Sequence, residues 1–157
     1  MDVFSRTFLP AAAEGGVAIP TVSRHMPVFR RCVEGDDATV LVTRCVRPER
    51  PMHGEFVLLL TYRRLVVIQE TRLLHRLRMH LNAELRHLSN VNWSPDPRTG
   101  SLELAATAVD GVRERFAIKV GHPKRVWHLD ALLSHVFKPR TADHQRTERR
   151  ALALSPR

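Results

Sequence analysis

At 157 residues the chain can bury one sizeable core but not two comfortable ones, which sets the expectation of a single domain. Its 43% apolar and 26% charged residues are ordinary for a globular protein, and no apolar run approaches the ~20 residues needed to cross a bilayer as a helix. A formal charge of +9 points to an anionic partner, whether nucleic acid, acidic membrane or acidic protein. Arginine dominance weakens that inference, because only Lys119, Lys124 and Lys138 of the 25 basic residues are lysine, a bias that a GC-rich genome also produces.

Residues 1–21 carry Pro10, three alanines, Gly15-Gly16 and Pro20, which break periodicity and predict a flexible lead-in. No long apolar segment follows Asp2, so no secretory leader is read and a cytoplasmic location is expected. From Thr21 to Val33 the spacing of Val22, Met26, Phe29 and Val33 predicts a short helix, with Pro27 tolerable only near its first turn. Cys32 and Cys45 form no Cys-x-x-Cys pair and are expected as thiols.

After a turn at 34–37, Thr39–Val46 predicts a strand and 47–54, with Pro48 and Pro51, a loop. Phe56–Tyr62 and Arg64–Glu70 follow as strands dense in β-branched and apolar residues. Leu73–Leu81 alternates, so it reads as a half-buried strand with Arg76, Arg78 and His80 on its outer face. Alternation lapses over 82–88, where a helical turn or bulge is expected, and resumes at Ser89–Ser94. Pro95–Gly100 is a turn, and Leu102–Val109 and Val112–Val120 flank Asp110-Gly111, a pair suited to a two-residue hairpin. Pro123 opens a helix whose stripe is Val126, Leu129, Leu133, Val136 and Phe137. The remainder, 138–157, is a basic tail.

About seven strands with no helix between them require antiparallel pairing. The expected fold is mainly β (α+β): a bent sheet or partly open barrel capped by the C-terminal amphipathic helix.

The segment Thr61-Tyr62-Arg63-Arg64-Leu65 resembles the Thr-x-x-Arg-Leu signature of bacterial pleckstrin-homology-like (PH-like, GRAM-like) domains. The His25–Asp37 helix and turn, the late hairpin and a closing helix bearing Trp127 suit the same layout. The resemblance covers roughly Val33 to Phe137 and implies a PH-like domain over 22–137 that serves as a binding platform. PH-like domains that bind phosphoinositides use a lysine-rich first loop. Here that loop has Arg44, Arg47 and Arg50 with Glu49 and no lysine.

Chemistry-bearing motifs are sparse. No Gly-x-Ser-x-Gly elbow, phosphate-cradling glycine loop or zinc-like ligand spacing occurs. His75 and His80 fall on opposite faces of the expected strand, and Ser134 and His135 point apart on a helix. No catalytic residue, metal or cofactor is expected. Trp93 and Trp127 read as core residues. Arg72, Arg76, Arg78 and His80 share parity, at about 7 Å spacing along a strand. With Arg63, Arg44, Arg47 and Arg50 they form the candidate binding face, set against the plainer reading of a solvated outer surface. The expectation is a non-enzymatic adaptor docking on a protein or acidic surface. Nucleic-acid phosphates, an anionic membrane and self-association are the alternatives.

Overall fold

The computed structural model describes residues 2–137, so the expected basic tail at 138–157 lies outside the described residues. Two helices, α1 (Val3–Glu14) and α2 (Ile19–Cys32), precede seven strands. These are β1 (Thr39–Cys45), β2 (Glu55–Thr61), β3 (Arg64–Glu70), β4 (Leu77–Glu84), β5 (Ser89–Asp96), β6 (Ser101–Thr107) and β7 (Arg113–Lys119). A 3-10 turn at Leu85–His87 separates β4 from β5, and α3 occupies 123–137. All pairing is antiparallel, as expected, but the strands form two sheets, β1-β2-β3-β4 and β5-β6-β7, not one bent sheet. Along one side the sheets meet at a single bridge, Val46 to Ala117.

The four-stranded sheet is covered on both faces, which explains its unbroken apolar runs. Phe56, Leu58, Leu60, Leu65 and Val67 face the second sheet and α3. Val57, Leu59, Val66 and Ile68 face a separate core built with Phe4, Phe8 and Phe29 from α1 and α2. Each such side chain contributes roughly 1.5–3 kcal/mol on burial, so both faces are held strongly.

The expectation of a flexible N-terminal segment is corrected here. Asp2 caps α1 by accepting the Ser5 N–H at 2.8 Å, and Phe4, Phe8, Ala11 and Ala12 form a buried stripe. Thr7 Oγ1 also accepts the Thr39 N–H at 2.9 Å, tying α1 to the start of β1. The helix forms despite Pro10 because the proline ring sits on the exposed side and the stripe beneath covers a sheet face that would otherwise be wet. At the end of α1 a Cβ on Gly15 would lie 1.8 Å from the Val42 carbonyl oxygen, so only glycine permits this approach.

α2 begins at Ile19 rather than Thr21, and Pro27 lies inside it rather than in its first turn. Its buried positions are Thr21, His25 and Phe29. Exposure of Pro27 and packing of this stripe offset the missing backbone hydrogen bond.

α3 buries Leu129, Leu133 and Phe137 in the core between the sheets, and Val126 is buried as well. Trp127 does not plug that core: it is 52% exposed. Trp93 takes the tethering part, donating Nε1–H to Asp130 Oδ1 at 2.8 Å and packing its ring near Phe137. The β6–β7 connection is longer than the two-residue turn expected. Ala108 accepts from Gly111 N and donates to Val112 O, with Gly111 at φ +84. Both cysteines are free, and burial pushes the Cys45 thiol well up.

Candidate functional site

β1 and β3 end where β2 and β4 begin, so loops 46–54 and 71–76 emerge together at one end of the four-stranded sheet. Their bases are fixed. Gln69 Nε2 donates to the His53 carbonyl at 2.8 Å, and Gly54, at φ +96, brings the chain against the Glu70 carbonyl. Loop 71–76 is closed by Thr71 N–H to Arg76 O at 3.0 Å and by Arg76 N–H to Thr71 Oγ1 at 3.1 Å. His75 turns the backbone through φ +45.

This closed loop corrects the strand expected at Leu73–Leu81, which starts only at Leu77. The reason is that residues 71–76 have no strand partner, since Leu77 already pairs with Glu70 at the end of β3. Leu73 and Leu74 therefore project outward, 94% and 67% exposed, and Met52 stands out on the neighbouring loop. Arg72 and Arg76 flank the two leucines and Arg78 follows in β4; all three are exposed and have no ion pair among the described residues.

The remaining candidates divide by position. Arg47 and Arg50 share this loop end, Arg50 exposed and Arg47 paired with Glu49 at 3.0 Å. Arg63 stands at the opposite end, in the β2–β3 turn, gripping Asp36 through both guanidinium nitrogens at 2.9 and 3.1 Å. Arg44 lies on the helix-covered face, donating to Thr21 Oγ1 at 3.3 Å. His80 is no part of a basic outer face. Val67 pairs with Leu81 and Ile68 with Met79, leaving His80 as the extra residue of a β-bulge. Its ring turns inward between Phe56 and Phe116, and Nε2 contacts Glu114 Oε2 at 2.9 Å.

At the base of loop 71–76 a polar cluster gathers around the buried carboxylate of Glu70. Arg24 holds Glu70 with both guanidinium nitrogens at 2.5 and 3.2 Å, while His25 Nε2 and His75 Nδ1 approach Oε1 at 3.6 and 3.9 Å. Burial alone would raise the Glu70 carboxyl, but the Arg24 bond and the neighbouring positive charges outweigh it and hold the pKa below the usual range. Burial pushes His25 down, toward the neutral ring. Neither ring nitrogen of His25 has a hydrogen-bond partner.

The loop end joins three exposed arginines, without an ion pair among the described residues, to protruding aliphatic side chains on a braced frame. The sequence pattern singles out the arginines as candidates but not Leu73, Leu74 and Met52, because alternation through Leu73 and Leu77 hides the turn. No protein-family model matches this chain, and no curated protein matches it.

Proposed function

We propose that the chain is a non-enzymatic interaction module, a partly open barrel of PH-like architecture, that docks its loop end onto an anionic membrane surface. The observation that carries this reading is Leu73 and Leu74 at the tip of a braced loop, with Arg72, Arg76 and Arg78 exposed nearby and without an ion pair among the described residues. A leucine moved from water into apolar surroundings gains roughly 1.5–3 kcal/mol, and an arginine near an anionic leaflet about 1 kcal/mol. The combination supports reversible attachment. In a cytoplasmic setting the inner leaflet supplies such a surface.

Nucleic acid would use the arginines but leave the leucines in water, and no Phe, Tyr or Trp stands in either loop to stack a base. An acidic protein remains the competing partner, since apolar loop tips also suit a protein pocket.

Co-sedimentation with vesicles of phosphatidylcholine alone or mixed with phosphatidylglycerol tests the reading. Binding should require the anionic lipid, fall on Leu73→Asp/Leu74→Asp and on Arg72→Glu/Arg76→Glu, and weaken only in part with salt. Equal binding to neutral vesicles, or none to either, would overturn it; in the latter case an acidic protein becomes the better partner.

A further inference from the structure

A second concavity lies away from these loops. β1 and β7 touch at Val46 and Ala117, and beside them lies an open groove of about 530 Å3 lined also by the end of α1 and the start of α3. No residue of loops 46–54 or 71–76 lines it. Its walls include Leu41, Val120 and Leu129, and Leu41 and Leu129 are themselves core residues, so the interior is apolar. Lys119, Lys124, Arg125 and His128 also line it. In a chain where arginine dominates, both lysines of the described residues meet here.

The charges are unbalanced. Among the described residues Glu14 is the one carboxylate lining the groove, and it faces His128 at 3.4 Å. Lys119, Lys124 and Arg125 have no ion pair among the described residues. An occupant must therefore offer negative charge at the mouth and apolar surface within. Gly15 packs against the Val42 carbonyl at one side of the groove, which crowds a strand added beside β1 at that point. The volume falls in the range of small-molecule sites, roughly 300–1,000 Å3.

From these features we infer that the groove binds a small amphipathic anion of the aliphatic carboxylate class, its head held by Lys119, Lys124 and Arg125 and its chain lying against Leu41, Val120 and Leu129. The site is independent of membrane docking, since the two surfaces share no residue.

Calorimetric titration of the full chain with sodium decanoate, below its micellar range, tests the inference. Saturable one-to-one binding is expected. Lys119→Glu/Lys124→Glu should weaken it at least about tenfold, the loss of about one charge-assisted interaction, and Lys119→Met/Lys124→Met should weaken it in the same direction. Arg98→Glu, on the exposed β5–β6 turn, should change nothing. Circular dichroism confirms that each variant is folded, and all of these side chains are exposed. Absence of saturable binding, decanol binding as tightly as decanoate, inorganic phosphate binding equally well, or folded lysine variants that retain full affinity would each overturn the assignment.

Discussion

Thr61 Oγ1 donates a 2.6 Å hydrogen bond to the buried carboxylate of Asp37, and the same oxygen accepts the Arg63 and Arg64 N–H groups at 3.2 and 2.8 Å. One hydroxyl thus closes the β2–β3 turn and ties it to the segment that leads from α2 into β1. Burial pushes the Asp37 carboxyl up, against the downward pull of the Thr61 bond. Thr61→Val keeps the shape and strands the carboxylate, so a loss of about 1–3 kcal/mol is expected in urea unfolding. Combined with Asp37→Ala, the second change should cost much less than it does alone. Additive losses would show that the bond is not the coupling.

The second core makes α1 part of the fold. Phe8 is fully buried on α1, whereas Leu9 beside it is half exposed. Phe8→Ala should lower stability by about 3–5 kcal/mol, and Leu9→Ala should stay within about 0.5 kcal/mol. Denaturant titration of the two variants checks this directly. A small effect at Phe8 would mean that α1 is dispensable.

Two tryptophans on neighbouring elements should respond unequally to substitution. Trp93→Phe removes the Nε1–H bond to Asp130 and should cost about 0.5–1.5 kcal/mol plus lost packing. Trp127→Ala, at an exposed position, should alter stability by less than about 0.5 kcal/mol. Thermal unfolding followed by far-ultraviolet circular dichroism separates them.

His25 sets a pH dependence. Its folded pKa is depressed by burial, with Arg24 and Arg44 adding repulsion and Glu70 opposing. The unfolded chain therefore takes up a proton as pH falls through about 6.5 while the folded chain does not. The stability contributed by neutral His25 is complete above that value and declines as pH falls toward the depressed folded value. Glu70, also depressed, adds a further loss at lower pH, as its carboxylate is protonated. Urea midpoints should fall between pH 7.5 and 5.5, and His25→Leu should flatten that slope without a large loss at pH 7.5, since it removes two unpartnered ring nitrogens. An unchanged slope in His25→Leu would place the titration elsewhere.

Local chemistry made much of the architecture legible. Phe56–Leu60 and Leu65–Ile68 are apolar at every position, and both proved to be strands buried on two faces. The stripe Val126, Leu129, Leu133 and Phe137 lies at helical spacing and packs as that spacing requires. What occupied the second face of the sheet was harder to read. Phe4, Phe8, Ala11 and Ala12 carry a helical period, but Pro10 and the nearby glycines masked it, and only the waiting sheet face makes that helix worth forming.

The apolar strand runs Phe56–Leu60 and Leu65–Ile68, the closing helix and the excess of arginine are legible from side-chain period and charge alone. Which arginines stand together follows from how distant segments pair. Pairing registers set Arg72, Arg76 and Arg78 at one end and Arg63 at the other, and a one-residue bulge turned His80 inward. Register and bulges depend on contacts between distant segments, so the face a side chain joins is fixed only when the strands meet.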